Sequence, residues 1–200
     1  MNFIYLASQS PRRAQLLDQL GVPHRLLLPD SGEDPEALEA ALARESPLAY
    51  VQRVTALKLD RAVQQLARRD LPRAPVLCAD TTVALGRTIL GKPEDPAHAR
   101  RMLASLSGTA HRVLTAVALH WGRWSAQALS ISRVRFAPLT RAQIAAYVAS
   151  GEPMGKAGAY AVQGRAAAFI EHISGSYSGI MGLPMFETAA LLRRANFHSF

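Results

Sequence analysis

Residues 76 to 93 place a carboxylate and an ammonium where they could act on a phosphate. Val76–Ala79 form an apolar run typical of a buried strand, and Asp80 is predicted to follow at its end. Gly86-Arg87 is typical of a tight turn, after which Lys92 sits on a rigid Gly-Lys-Pro bend. This spacing predicts an acid and cation pair for phosphate chemistry. The alternative is an Asp that caps a turn beside a surface Lys.

The basic residues are strongly biased towards arginine. Of the 23 basic residues only three are lysines, namely Lys58, Lys92 and Lys156. An ammonium is a compact, reorientable charge, and a planar guanidinium replaces it poorly where it must meet a phosphate. We therefore expect the three lysines to bind phosphate. The alternative is that they are surface residues retained by chance.

A second phosphate site is predicted at the start of the first helix. Ser10 and Pro11 are typical N-cap and first-turn residues, so Arg12 and Arg13 fall in the first turn. Cations there oppose the helix dipole, by up to about 1 kcal/mol each, unless an anion lies against the N-terminal N–H groups. The alternative is a capped helix with two solvated arginines.

Other chemistries fit the sequence poorly. Gly86–Lys92 matches the start of a P-loop, but Pro93 stands where the motif needs a magnesium-binding hydroxyl. The six histidines lack the spacing of a helical zinc motif. Gly175–Gly179 has no central serine and predicts a flexible turn rather than a nucleophile elbow. His111 opens a β-rich run, which favours a hydrogen-bonded core histidine.

The elements that must position these residues alternate between strand and helix types. Helices are predicted at about 11–20, 47–69, 97–106, 141–150 and 184–195, and strands at about 3–7, 24–28, 76–79, 88–90, 111–121, 124–136, 169–173 and 180–183. This order predicts an α/β fold with a mixed sheet and flanking helices.

Two loops are candidate functional segments. Residues 29–35 form an acidic loop, in which Glu33 is the first choice for a metal carboxylate, although such a loop is usually only solvated. Residues 151–164 are rich in glycine, show little periodicity, and contain Lys156 and Gln163. Functional loops commonly have this composition.

Length, composition and charge bound the class of protein. Two hundred residues with 49% hydrophobic content can bury about 70% of the unfolded surface in one compact domain. Neither a transmembrane run nor a signal-peptide pattern is recognised, so no membrane partner is expected. The only cysteine, Cys78, fits a reducing cytosol and a buried position. The net charge of +8 is scattered, which favours an anionic small molecule over nucleic acid.

Together, these motifs resemble the Maf family of nucleoside triphosphate pyrophosphatases. The matching stretches recur in the family's order and cover nearly the whole chain: Leu6–Arg13, Ala79–Val83, Leu90–Pro93, Ser107–His111, Lys156–Tyr160 with Gln163-Gly164, and Gly182–Pro184. The resemblance implies one domain over residues 1–200 with two lobes and a cleft between them, similar to the inosine triphosphate pyrophosphatases. It also implies a divalent metal, Mg²⁺ or Mn²⁺, a nucleoside triphosphate substrate, a cytoplasmic location and often a homodimer.

The resemblance also assigns roles to single residues. The family's catalytic aspartate falls on Asp80 and its acidic-loop glutamate on Glu33, and both would hold the metal. The substrate-binding positions fall on Ser8, Arg12, Arg13, Lys58, Lys92 and Lys156, of which Lys92 would also take part in catalysis.

Three positions resemble the family branch that acts on dTTP and UTP, namely Arg12, Thr81 and Gln163. A glutamine amide carries a donor beside an acceptor, which matches the carbonyl and N–H of a uracil or thymine imide. The implied reaction is attack on the α-phosphorus by a water that the metal or Asp80 activates, with loss of pyrophosphate. The alternatives are a pyrophosphatase for 7-methyl-GTP or another modified nucleotide, and a non-catalytic regulator of septum formation that senses nucleotides.

Overall fold

The architecture is one mixed sheet with helices on its faces. The computed structural model describes residues 2–30 and 38–197. The strands are β1 Ile4–Leu6, β2 His24–Leu26, β3 Val76–Leu85, β4 Thr88–Leu90, β5 Ala110–Trp121, β6 Trp124–Phe136 and β7 Ile170–Ser174. The helices are α1 Pro11–Gln19, α2 Pro47–Arg68, α3 Pro96–Leu106, α4 Arg141–Ala149, α5 Tyr177–Met181 and α6 Met185–Arg194.

The strand pairing makes the sheet mixed, as predicted. The order is β2-β1-β3-β5-β6-β7, and β4 pairs with β3 off this path. β1 pairs parallel with β2 and β3, whereas the pairs from β3 to β7 are antiparallel. The predicted α/β class with flanking helices is confirmed.

The central strand β3 is longer than predicted. Asp80 was expected to follow the strand's end, but β3 runs for ten residues and Asp80 lies in its middle, opposite Ala116 of β5. The reason is that Thr81, Thr82 and Val83 are β-branched or apolar residues that favour an extended backbone and continue the strand. The carboxylate is therefore carried by a rigid, hydrogen-bonded element rather than by a turn.

Alternation along β3 sends neighbouring side chains to opposite faces of the sheet. Cys78 packs with Leu59 of α2 on one face, and Ala79 packs with Leu17 of α1 on the other. Asp80 consequently faces α2.

Within the described ranges, no helix combines the length and the apolar character needed to cross a bilayer.

Side-chain caps begin three of the helices that the sequence predicts, and at α3 the Asp95 carboxylate accepts from the His98 N–H at 2.6 Å. The Ser46 hydroxyl accepts a hydrogen bond from the Ala49 N–H at 3.2 Å, at the start of α2. Thr140 and Gln143 form a reciprocal capping box at the start of α4. Ser10 occupies the N-cap of α1, but its side chain makes no cap hydrogen bond. The first turn of α1 is instead held by hydrogen bonds that the Arg12 and Arg13 side chains donate to neighbouring segments.

One predicted strand does not form, and its first two residues end helix α5 instead. Residues 180–183 were expected to be extended after a flexible turn, but Ser176 caps α5, and its hydroxyl accepts from the Gly179 N–H at 2.9 Å. A run of four residues is too short for periodicity to separate a strand from a helix. The final helix does follow Pro184, as predicted.

Two predictions about buried side chains are confirmed. His111 is 2% exposed, and its Nε2 lies 2.8 Å from the Tyr160 hydroxyl. Burial lowers the pKa of His111 to about 4, so the ring is neutral at pH 7. Cys78 is fully buried, and burial raises its pKa to about 12. Its thiol therefore serves as a small core side chain and not as a nucleophile.

Candidate active site

Nine predicted site residues line one cavity of about 470 Å³. They are Ser8, Arg12, Arg13, Lys58, Asp80, Thr81, Lys92, Lys156 and Gln163. The three lysines of the chain thus come together from α2, from the bend after β4 and from the loop after α4. Glu33, the tenth predicted residue, lies outside the described residues.

Asp80 belongs to a chain of alternating charges. Lys58 Nζ donates to Asp80 Oδ1 at 2.5 Å and to Glu39 Oε1 at 2.7 Å. Lys92 Nζ donates to the other oxygen of Glu39 at 3.2 Å. The side chains of Lys58 and Asp80 are only 18% and 10% exposed, so solvent screens this pair weakly. Hydrogen bonds therefore join these two carboxylates and two ammoniums into one network in the cavity.

Glu39 is a residue that the sequence reasoning missed. Desolvation raises its pKa, but Lys58 and Lys92 outweigh that effect, and the net pKa lies below its ordinary value. The Tyr50 hydroxyl donates to the Glu39 carbonyl oxygen at 2.8 Å, which ties this segment to α2. Several acids follow Asp30 in the sequence, and no periodicity separates Glu39 from Glu33. Only the fold brings Glu39 to the lysines.

Backbone carbonyls and a serine hold the two arginines of α1 at the cavity. Arg13 Nε donates to the Gly182 carbonyl at 2.8 Å, and Arg13 Nη1 donates to Ser8 Oγ at 3.1 Å. Arg12 Nε donates to the Met181 carbonyl at 3.4 Å. Desolvation lowers the pKa of both arginines, and Asp80 partly offsets this for Arg13. A guanidinium has five N–H donors, so both side chains can also bind an anion in the cavity.

The Thr81 hydroxyl can offer a ligand only hydrogen-bond acceptors, because its proton is donated to Thr115. The Thr115 hydroxyl donates to the Gly179 carbonyl at 2.7 Å and lies 3.0 Å from the Thr81 hydroxyl. A hydroxyl has one proton, so Thr81 must be the donor in the bond between the two threonines. Its remaining lone pairs can accept from a ligand but cannot bind a phosphate oxygen. No sequence motif indicated Thr115.

Gly158 packs the loop that carries Lys156 and Gln163 against the sheet. Its φ is +70°, and its N–H donates to the Gly91 carbonyl at 3.0 Å, next to Lys92. A Cβ at this position would lie 2.8 Å from a methyl group of Val83, so only glycine allows the close approach. This hydrogen bond places the loop that carries Lys156 beside the bend that carries Lys92.

The electrostatics of Lys156 indicate a cavity prepared for an anion. Desolvation and the charge of Arg12 lower the pKa of Lys156, and Glu152 partly opposes them. Arg12, Arg13, Lys58, Lys92 and Lys156 line the cavity together with only two described carboxylates, Asp80 and Glu39. An anionic ligand would relieve the mutual repulsion of these cations.

Comparison with known proteins identifies the family of the chain. The family model of the Maf-like protein matches residues 3–195. A protein of Albidiferax ferrireducens named dTTP/UTP pyrophosphatase is 70% identical over 98% of each chain. Proteins of the same name from Polaromonas sp. and Cupriavidus metallidurans are 69% and 64% identical, over 97% and 98% of this chain and 96% and 98% of theirs. Because the match spans nearly the whole chain and includes every residue described at the cavity, the chain belongs to the Maf family.

Proposed function

We propose that this protein is a nucleoside triphosphate pyrophosphatase that acts on dTTP and UTP. The products are the nucleoside monophosphate and pyrophosphate. The observation that carries the proposal is a cavity that Asp80 shares with six cationic side chains, namely Arg12, Arg13, Lys58, Arg61, Lys92 and Lys156. The names of the relatives support the choice of dTTP and UTP.

The cations are suited to a triphosphate in different ways. Arg12 and Arg13 lie in the first turn of α1, where guanidinium forks and the helix dipole favour an anion together. Lys58, Lys92 and Lys156 supply ammonium charges that can follow the phosphate oxygens as the geometry changes. Thr81, as an acceptor, suits an N–H or hydroxyl of the nucleoside.

Asp80 is the general base in this proposal. A water oxygen attacks the α-phosphorus, the bond from that phosphorus to the bridging oxygen breaks, and pyrophosphate leaves with the electron pair. Asp80 accepts the proton that the water loses, and Lys58 fixes the orientation of the carboxylate. Positioning and charge neutralisation supply most of the rate, and a general base adds about a hundred- to ten-thousandfold.

The acidic residues of the cavity fit a divalent cation. Asp80 and Glu39 converge on one ammonium, and Mg²⁺ in nucleotide sites is commonly held by one or two carboxylates plus substrate phosphates. No group of three His, Cys, Asp or Glu side chains that could hold a metal occurs in residues 2–30 and 38–197. When bound, Mg²⁺ or Mn²⁺ would neutralise charge on the phosphate oxygens.

Replacing Glu39 with glutamine should raise the Mn²⁺ concentration that gives half-maximal rate by at least about tenfold, because one metal carboxylate is lost. The matched variant is Glu33→Gln, which tests the carboxylate that the sequence favours. Both are measured by pyrophosphate release from UTP at increasing MnCl₂. A shift in Glu33→Gln alone would assign the metal to Glu33 and not to Glu39.

Lys92→Arg preserves charge but should still lower kcat by about tenfold or more, because a planar fork replaces a point charge on a constrained bend. Arg123→Lys, at the exposed turn between β5 and β6, is the matched control and should behave as wild type. Steady-state turnover of UTP measures both. Full activity of Lys92→Arg would show that the scarcity of lysine carries no functional information.

The function itself is tested by pyrophosphate release from purified protein. The panel contains dTTP, UTP, CTP, GTP and 7-methyl-GTP, each with Mg²⁺, with Mn²⁺ and with a chelator. We expect release from dTTP and UTP that depends on the metal. A regulator that only senses nucleotides would bind members of the panel and release no pyrophosphate, which would overturn the proposal.

A further inference from the structure

Gln163 lies in a β-turn whose two ends are held by one pair of side chains. The Gly164 N–H donates to the Ala161 carbonyl at 3.0 Å and closes the turn, with Gln163 in its third position. Just before the tip, the Ala161 N–H donates to the Tyr147 hydroxyl at 3.3 Å. Just after it, the Arg165 N–H donates to Glu152 Oε2 at 3.1 Å.

Tyr147 and Glu152 are themselves joined. The Tyr147 hydroxyl donates to Glu152 Oε1 at 2.9 Å, so the phenol and the carboxylate form one unit that accepts from both sides of the turn. Tyr147 is 4% exposed in the last turn of α4. Gly164 permits the close approach, since a Cβ there would lie 2.3 Å from Glu152 Oε1.

The surroundings of Glu152 favour its ionised carboxylate. Desolvation raises its pKa, but hydrogen bonds from the Arg165 N–H and the Tyr147 hydroxyl outweigh it, and the net pKa is lowered. Both carboxylate oxygens can then accept. The Glu152 carbonyl also accepts from Lys156 Nζ at 2.6 Å, so this residue touches the cation and the glutamine turn at once.

We infer that Tyr147 and Glu152 are positioning residues that fix Gln163 for selection of the nucleobase. The inference rests on the proposed function and on the pairing that the sequence predicts between the Gln163 amide and the imide of uracil or thymine. A turn that shifts would present the amide in several orientations and would weaken discrimination against cytosine. Neither residue is among those that line the cavity, so both act through the turn and not on the substrate.

Tyr147→Phe and Glu152→Gln should each lower the ratio of kcat/KM for UTP over CTP by about three- to tenfold, the worth of one or two hydrogen bonds. In Tyr147→Phe the Ala161 N–H loses its acceptor. In Glu152→Gln the side-chain NH₂ must face either the Tyr147 hydroxyl or the Arg165 N–H, so one of these two donors loses its acceptor. KM for UTP should rise while kcat changes by less than about twofold, because the catalytic groups are untouched.

Matched controls remove the same chemical groups elsewhere. Tyr177→Phe deletes an exposed phenol hydroxyl, and Glu171→Gln alters a carboxylate in an exposed ion pair with Arg135. Both should keep the wild-type ratio. A variant that is merely less stable loses activity towards UTP and CTP equally, so its ratio also stays unchanged.

Native-state amide exchange gives a second readout that does not depend on turnover. Exchange at the Ala161 and Arg165 amides should accelerate by about three- to tenfold in Tyr147→Phe and Glu152→Gln respectively, while amides of β5 keep their rates. Unchanged exchange at both amides would show that the side-chain pair does not hold the turn, which would overturn the inference.

Gln163→Ala completes the experiment. If the pair acts through Gln163, adding Tyr147→Phe to Gln163→Ala changes the UTP:CTP ratio no further, whereas a fully additive loss would overturn the inference. A ratio that collapses in Gln163→Ala but not in the Tyr147 and Glu152 variants would overturn it and leave the proposed function standing. A ratio that Gln163→Ala leaves intact would refute the proposed base-reading role, and the inference would fall with it.

Discussion

Replacing Asp80 with asparagine should lower kcat for UTP by at least about a hundredfold, the lower end of what a general base contributes. Asparagine keeps the volume of the side chain but removes the proton acceptor and the negative charge. The loss should appear in kcat and kcat/KM together, because the base acts in the transition state.

The Asp80→Asn protein should still fold. Asp80 is 7% exposed, and removing one partner of a buried ion pair usually destabilises a protein by leaving the other charge alone. Here Lys58 keeps its hydrogen bond to Glu39 at 2.7 Å, so its ammonium remains paired. Thermal unfolding followed by circular dichroism checks this expectation alongside the kinetics.

Asp60→Asn is the matched control for this variant. Asp60 is an exposed residue of α2, and its replacement changes the net charge by the same amount. It should turn over UTP at the wild-type rate. Turnover by Asp80→Asn within a few fold of wild type would remove Asp80 from the role of base, even if the binding of substrate were altered.

Five of the six cations of the cavity could be predicted because each carries a local signal, whereas Arg61 of α2 carries none. The three lysines are conspicuous among many arginines, and Arg12 and Arg13 stand where a helix dipole disfavours cations. Neither signal depends on the path of the chain between the segments. The structure then places all five residues at one cavity.

Of the two described carboxylates only Asp80 could be predicted, because the role of Glu39 depends on long-range geometry. Glu39 reaches Lys58 and Lys92 from a segment whose backbone accepts a hydrogen bond from the Tyr50 hydroxyl of α2. In the sequence it is one acid among several in a stretch without periodicity. Position in a β-strand is also hard to predict: the apolar run predicts Asp80 at the end of the strand, but β3 continues for five further residues.

Residues that act through others gave no signal at all. Thr115 sets the direction of the Thr81 hydroxyl from the neighbouring strand, and Tyr147 reaches the Gln163 turn from α4. Each looks like an ordinary strand or helix residue in the sequence. Their contacts depend on strand register and helix packing, which periodicity does not determine.

The wild-type protein should prefer UTP and dTTP over CTP by about a hundredfold in kcat/KM. The Gln163 amide can accept from the imide N–H and donate to the adjacent carbonyl, whereas cytosine lacks that N–H and leaves the pairing incomplete. A fully buried site of this kind can reject the wrong substrate by about ten-thousandfold. The side chain of Gln163 is exposed at the cavity, which reduces the expected ratio.

Gln163→Glu should lower kcat/KM for UTP and dTTP by at least about tenfold, because it places an acceptor-only carboxylate against an imide carbonyl. Gln64→Glu adds the same charge at an exposed position of α2 and is the matched control. The decisive measurement compares kcat/KM for dTTP, UTP, CTP, GTP and 7-methyl-GTP in the three proteins. A wild type that prefers 7-methyl-GTP, or a Gln163→Glu protein with unchanged ranking and rates, would refute the assignment of Gln163 as the residue that reads the pyrimidine.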